Sequence, residues 1–336
     1  IYISPEWLKA AMEATCNEAG VHIRLHTRVS GAVREGSRVT AIETESKSGR
    51  ERWRARIFID TTGDGDLAAL SGCAFDMGRP GNGQVQPMSM HAIVTGLSSE
   101  AVAPYVWWGR APDDTGERKN FGDVLREAGI ECSYGMPAIQ PLSSSLFLLG
   151  MNHEYVPTSL DADVISRATM HGRAELVGIV GALRRLGGIW SDIELAATST
   201  SIGVREGRRI CGRYTVTRED VIAGRRHEDA VCRVTFPVDV HSTDPEKGKG
   251  FGNEGVHAQP FDIPLRALIA RDAENLLMAG RCISGDFIAH ASYRVVGNAV
   301  AMGEAAGVLA AMAMRDNASP AAVPFDTVRP HLSPAT

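Results

Sequence analysis

Between Asn275 and Gly307 the chain reads Asn-Leu-Leu-Met-Ala-Gly-Arg-Cys-Ile-Ser284, passes through Ala289-His-Ala-Ser-Tyr-Arg294, and continues as Gly297-Asn-Ala-Val-Ala-Met-Gly303-Glu-Ala-Ala-Gly307. No other segment restricts the fold so tightly. Leu276 to Ala279 has the length and apolarity of a short buried strand that stops at Gly280, and Arg281 to Arg294 reads as a polar loop. From Gly297 and Asn298 onward a helix is predicted, with Ala299, Gly303 and Gly307 on one face. A helix carrying so little side chain can approach a sheet or a flat ring closely. Its first-turn N–H groups lack intrahelical acceptors, and its positive dipole end favours negative charge.

Composition narrows the class of function. At 336 residues and 44% hydrophobic content the chain can build two cored domains. A net charge of −5 with both signs mixed argues against nucleic acid and against anionic lipid as partners. Val295 to Met314 is apolar, but Gly297, Asn298, Gly303, Glu304 and Gly307 interrupt it, which suits a buried helix and not a membrane span. Small-molecule chemistry is the class that remains, and an oligomer is compatible with it. The six cysteines, Cys16, Cys73, Cys132, Cys211, Cys232 and Cys282, show no C-x-x-C and no zinc spacing. Reduced thiols, no metal site and a cytoplasmic location by default follow.

Ser4-Pro5-Glu6 opens a helix that should run to Gly20 and pack on a sheet through Leu8, Ala11, Met12 and Ala19. Val21 to Val29 alternates like a half-buried strand, with His22 and His26 on its exposed face beside Arg24 and Arg28. Glu35-Gly36 and Ser48-Gly49 punctuate Ala32 to Arg34, Arg38 to Thr44 and Glu51 to Arg54, which predicts a three-stranded antiparallel meander. Ala55 to Asp60 is a further buried strand. From Phe75 to Leu149 the periodicity weakens, with Trp107-Trp108 in a region rich in Ala, Gly and Pro. Ala162 to Leu186 is strongly helical and is stopped by Gly187-Gly188. Ala230 to Val240 alternates as a strand broken at Pro237, Asp244 to Gly250 reads as a loop, and Asn317 to Thr336 reads as a tail.

Gly63-Asp-Gly-Asp-Leu-Ala68 formally fits the G-x-G-x-x-G/A turn after a strand. Asp64 and Asp66, however, put two carboxylates where a pyrophosphate needs positive potential, and no ribose-binding acid follows on a second strand. The turn therefore reads as a helix cap made by the Asp side chains, with Thr62, Gly63 and Gly65 letting the backbone pass close to a cofactor or to the sheet. His241-Ser242 with Asp244 lacks a G-x-S-x-G elbow, and no hydrolase is inferred.

Asp60 to Ala68, Gly203 to Gly212 with Thr217 to Val221, Val238 to His241, Ile263 to Leu268 and the Ala279 to Gly307 block together resemble the FAD-dependent oxidoreductase family, related to fumarate-reductase-like and glutathione-reductase-like flavoproteins. The resemblance runs in order from Pro5 to about Ala313. It implies an α/β chain with a Rossmann-like FAD-binding domain carrying the meander, plus an inserted α+β substrate domain. The implied boundaries are 1–73 for the first part of the FAD domain, 74–260 for the substrate domain, 261–316 for the last strand and helix of the FAD domain, and 317–336 for the tail. Two departures stand out. The family's opening strand, G-x-G-x-x-G turn and acidic ribose ligand, a unit of about 30 residues, is not in this sequence, which is read as N-terminally truncated. Gly207 stands where the family usually has a hydroxyl residue.

The resemblance implies FAD as cofactor, with Thr62, Gly63, Asp64, Gly65, Asp66, Gly280, Arg281, Gly297, Asn298 and Ala299 around it. His290, Arg294, His241, Arg205 and Arg209 are the candidate catalytic residues. Arginine holds anionic or polyhydroxylated ligands through paired donors, and histidine exchanges protons near neutral pH. The expected reaction is hydride transfer between a small polar substrate, carboxylate- or sugar-like, and flavin N5, with an electron acceptor that no motif names. The alternative is a catalytically silent chain, a fragment, pseudoenzyme or subunit that needs a partner to complete the FAD site. A nicotinamide enzyme using Gly63 to Ala68 is a third and weaker reading.

Overall fold

The computed structural model describes residues 3–106 and 116–333. Trp107 and Trp108 lie outside the described residues. The chain divides into two compact units. One, the sheet unit, comprises Ile1–Arg24, Gln86–Arg205 and His241–Gly250; the other, the meander unit, comprises Leu25–Val85, Glu206–Val240 and Phe251–Thr336. The expected substrate domain, 74–260, thus spans residues of both units.

The sheet unit is built on four antiparallel strands in the order Ala138–Pro141, Phe147–Gly150, His91–Thr95, Glu194–Thr198. Alternate residues of the central strands, Ala92 and Val94 against Phe147 and Leu149, point into a core shared with Leu176, Ile179 and Leu183. Those three lie on one face of the 25-residue helix Ala162–Leu186 at the expected i, i+3, i+7 spacing. Asp161 caps this helix by accepting from Val164 N–H at 2.8 Å, and Gly187 ends it at φ 76°. A side chain at Gly172 would crowd Met90, Asn152 and Glu154, which explains the glycine within the helix.

The helix Pro5–Glu18 forms where predicted, but none of its residues is buried, and Trp7 remains 77% exposed. Its apolar side meets no sheet among the described residues, contrary to expectation. The strand expected over Val21 to Val29 is also absent until Arg28. Alternation alone cannot hold an extended segment without a ladder partner, and His26, at φ 52°, leaves the extended region altogether.

The meander unit begins with Arg28–Glu35, Arg38–Ser46 and Gly49–Arg54, paired in sequence order as the glycine turns require. Phe58–Asp60 then pairs in parallel with Leu276–Met278, residues 218 positions apart in register. Asn275 ties the two substructures together. Its side chain accepts from Val39 N–H at 2.9 Å and donates to the carbonyls of Val39 and Arg56 at 2.8 Å each. The helix Val296–Arg315 packs on Phe58–Asp60, Leu276–Met278 and Ala230–Val234, burying Met302, Ala305, Ala306, Leu309 and Ala313. By length and composition it could cross a membrane, and 39% of its apolar window is buried inside the protein.

Three expectations fail in this unit. Arg281 to Arg294 is not a continuous loop: Asp286 caps a helix, Phe287–Tyr293, whose side chains are largely buried. Residues 317–333 are not a free tail, because Val323 and Val328 are buried in the core. Ala230–Val240 is a strand only to Val234, where it pairs antiparallel with Phe261–Pro264.

Candidate functional site

Asp60, 1% exposed, organises the turn that follows it. Its Oδ1 accepts from the Thr62 N–H at 3.0 Å and from the Thr62 hydroxyl at 2.7 Å, while Oδ2 accepts from Ala68 N–H at 2.8 Å. Thr62 Oγ1 in turn accepts from Asp66 N–H at 2.8 Å. These bonds cap the short helix Asp66–Leu70, whose N-cap is Gly65 at φ 66°. The predicted capping by Asp64 and Asp66 is therefore corrected. Asp60 and Thr62 occupy the first-turn donors, which leaves the two later carboxylates to turn outward.

Both outward carboxylates are held by arginines. Asp64 Oδ1 accepts from Arg281 Nη1 at 3.0 Å, and Asp66 Oδ1 accepts from Arg208 Nη1 at 2.9 Å. Burial pushes the Asp64 carboxyl up, against the pull of the Arg281 guanidinium. Gly63, at φ 81°, is covered by Arg281: a Cβ there would fall inside the guanidinium. At Gly207 a Cβ would collide with Asp64 Oδ1 and lie 3.0 Å from its Cα. The departure from a hydroxyl residue at 207 is thereby explained by the outward position of Asp64.

The segment after Gly280 supplies a different surface. Gly280, at φ 89°, has open space where a Cβ would stand. The same holds at Gly297, Gly303 and Gly307 on the helix Val296–Arg315. Val296 and Val300 are 76% and 67% exposed on this side, so the helix presents an apolar outer face of two valines and glycines that begins at its positive end. Ala299 is half-buried. Asn298 is turned inward: its amide donates to the Tyr293 carbonyl at 3.2 Å and accepts from the Cys232 thiol.

A flat ring with a hydrogen-bond-accepting edge fits this open helix start. The Gly63–Ala68 turn, by contrast, offers a phosphate two carboxylates already engaged by arginines, and the residues there do not fit a pyrophosphate. Cys282, which follows the Gly280–Arg281 turn, is buried with its thiol directed at the carbonyls of Asp60 and Ala279, and burial pushes its pKa up. It packs as a neutral thiol.

Of the candidate catalytic residues in this unit, Arg209 is 3% exposed and its three nitrogens donate to the Gly285 carbonyl, to Glu206 at 2.6 Å and to the Gly78 carbonyl. Such full engagement makes it a structural clamp. Arg294 donates to the Asp239 carbonyl at 2.6 Å. His290 is 0% exposed, lies edge-on to the Tyr293 ring, and finds no hydrogen-bond partner for either ring nitrogen among the described residues. Burial, reinforced by Arg294, Arg209 and Arg281, holds its pKa well below the usual histidine range. It is a neutral imidazole sealed from solvent.

His241 and Arg205 belong to the sheet unit. The His241 backbone N–H donates to Gln86 Oε1 at 2.9 Å, and its Nδ1 meets His153 Nε2 at 2.9 Å. His153, 2% exposed, continues through Nδ1 to the Tyr155 hydroxyl at 3.3 Å, and the Tyr134 ring lies 4.2 Å from it, centroid to centroid. Arg205 is anchored on the Pro87 carbonyl at 2.7 Å and the Ser89 hydroxyl at 2.8 Å. Burial first, then the charge of Arg205, lowers the pKa of His153 to about 2. Sequence reading did not find His153, because it meets His241 across 88 positions and no local spacing signals the pair.

The chain resembles several solved structures. It is 12% identical to a flavin-dependent brominase, covering 98% of this chain and 60% of that one with a TM-score of 0.46. A geranylgeranyl bacteriochlorophyll reductase-like protein from Thermoplasma acidophilum is 10% identical, with 96% and 57% covered and a TM-score of 0.44. The myxobacterial chondrochloren halogenase is 10% identical, with 98% and 55% covered and a TM-score of 0.45. The chain therefore spans less than two thirds of the length of each. No curated protein matches it by sequence. The family model described as FAD dependent oxidoreductase matches residues 2–332, and the chain belongs to that family.

Proposed function

We propose that the protein is an oxidoreductase that moves a hydride between FAD and a small polar substrate, carboxylate- or sugar-like. The observation that carries this reading is the open space beside Gly297, at the start of the helix Val296–Arg315, in a member of an FAD-dependent family. When bound, FAD supplies a hydride acceptor or donor at its N5. The chain's own contributions are separate. The helix start, with Gly297 and Gly280, gives the ring room, and its free N–H groups favour negative charge on the ring's pyrimidine side. Arg281 holds Asp64 and covers Gly63. Arg205 and His241, both in the sheet unit, are the candidates in that unit for holding an anionic substrate and for exchanging a proton.

Gly297→Val tests the placement of the ring. Among the described residues no atom lies within 4 Å of the added Cβ, so the variant should fold with unchanged thermal stability and lose flavin absorbance. Undiminished flavin content would remove the ring from this helix. A second reading, a chain that binds FAD only with a partner's help, is favoured by the engagement of Asp64 and Asp66 with arginines at the one Gly-rich turn after a strand. Protein that is colourless and stays so with added FAD would support it.

A further inference from the structure

We propose that the meander unit carries a second ligand site, a cavity of about 1200 Å³ that takes a long apolar molecule ending in one anionic group. Residues 226–231, the turn that follows Phe261–Pro264 and the C-terminal segment 320–333 line it, and all of them belong to this one unit. The site goes beyond the flavin reaction. None of its lining residues belongs to the Gly63–Ala68 turn, to Gly280 or to the start of the helix Val296–Arg315.

The apolar part of the lining accounts for the body of the ligand. Val231, Leu265, Ile269 and Val323 are buried core residues that also line the cavity, and Phe325 and Leu332 pack half-buried on the same core. The volume exceeds the roughly 300–1,000 Å³ of most ligand sites, so the site has room for a long apolar body. The wall made by the C-terminal segment is fixed. Val323 and Val328 are buried in the core, and Ser333 donates through its N–H and its hydroxyl to Glu304 at 3.1 and 2.7 Å. A site held in this way has little left to order on binding.

Three arginines of the lining account for the anionic end. Each is tethered on one edge and keeps N–H groups without a partner among the described residues. Arg226 Nε donates to Asp262 at 2.8 Å, which leaves both terminal nitrogens. Arg266 donates through Nε and Nη2 to Asp229 at 2.9 and 3.1 Å, which leaves Nη1. Arg329 Nη2 donates to the Glu228 carbonyl at 2.7 Å, which leaves Nε and Nη1. A guanidinium already oriented by one partner loses little freedom when it grips a carboxylate or a phosphate. The balance of charge limits the ligand to one such group. Arg226, Arg266 and Arg329 face Glu228, Asp229 and Asp326 in the same lining, three against three, so a polyanion meets no net positive field, whereas a single anionic head needs only the local donors. His227 also lines the cavity, and Arg266 Nη2 lies 3.5 Å from its Nδ1. Arginine only donates, so His227 Nδ1 accepts, and an anion that draws on Arg266 alters that contact.

The test titrates decanoate, decyl phosphate, decanol and decyltrimethylammonium, each below its micelle concentration, into the full chain, with calorimetry for affinity and the nitrogen-15 shifts of the His227 ring for location. At least one of the two anions should bind about tenfold or more tighter than decanol and move the His227 resonances, and the tighter of the two identifies the head as carboxylate or phosphate. The ammonium probe should bind no better than decanol. Arg226→Gln combined with Arg329→Gln, both at exposed side chains, should weaken the anions about tenfold and leave decanol binding unchanged. Ala321→Trp, which fills part of the cavity, should weaken anions and decanol alike. Circular dichroism checks that each variant keeps the fold. Decanol or the ammonium probe binding as tightly as the anions, His227 resonances that do not move, a double variant that binds anions normally, or unchanged decanol binding in Ala321→Trp would overturn the site.

Discussion

Asp60→Ala is the sharpest test of how the Gly-rich turn is held. The buried carboxylate accepts from the Thr62 N–H, the Thr62 hydroxyl and the Ala68 N–H. The three losses are unequal. Thr62 is exposed, so water can replace the carboxylate for both of its donors, and their loss costs little. Ala68 is 0% exposed, and its N–H would be stranded. A hydrogen bond to a charged group contributes about 1.5–3 kcal/mol, and an unsatisfied buried donor costs about 1–3 kcal/mol. The expected loss is therefore about 2–4 kcal/mol, most of it at Ala68. Thr62→Val removes the acceptor for Asp66 N–H in an exposed setting and should cost only about 1 kcal/mol. Urea titration followed by circular dichroism gives both values, and hydrogen exchange at Ala68 locates the loss. If Asp60→Ala costs no more than Thr62→Val, the turn is not organised by this carboxylate.

Gly207→Ala should be destabilising by about 1–3 kcal/mol, because the new methyl forces Asp64 away from its place beside Arg281; pairing it with Asp64→Gly should recover most of the loss in the same titration. Acid should weaken the fold before most carboxylates titrate. His153 and His290 have folded pKa values below the ordinary histidine value, so below about 6.5 the unfolded chain binds two protons that the folded chain refuses. Stability is then fully present above about 6.5 and falls with pH, at up to about 2.7 kcal/mol per unit from two protons at about 1.36 kcal/mol each. Denaturation at pH 7 and pH 5 should show at least this slope, and replacing both histidines by glutamine should remove their share and leave that of His91, whose folded pKa is lowered to about 4.

The sequence reveals elements whose signals are local. Glu35-Gly36 and Ser48-Gly49 mark the meander turns because type-specific backbone angles need glycine, and Gly187 ends the long helix for the same reason. The helix Phe287–Tyr293 escapes such reading because two turns give too little periodicity, although Asp286 three residues before Ala289 carries its cap. Site residues divide in the same way. The positive φ angles at Gly63 and Gly280 are of the kind a glycine in sequence signals, whereas the partners that assign Arg209 to Glu206 and His241 to His153 come from packing. An arginine in sequence looks equally suited to a substrate or to a buried carboxylate. Only the 3% exposure of Arg209 separates the two.

The Asn275 clip carries a consequence for how such chains can vary. The meander is joined to the parallel strand pair partly through one amide side chain, where a continuous sheet would use a run of backbone bonds. A ladder fixes strand direction and register over its whole length, whereas a single amide fixes one point. The meander can therefore lengthen, shorten or change its twist beyond Val39 without altering the register of Leu276–Met278 against Phe58–Asp60. Loss of Asn275 would release that point while leaving each strand pairing formed, with Arg34 on the Ser71 and Asp272 carbonyls and Glu274 N–H on the Ser37 carbonyl still holding the first hairpin of the meander.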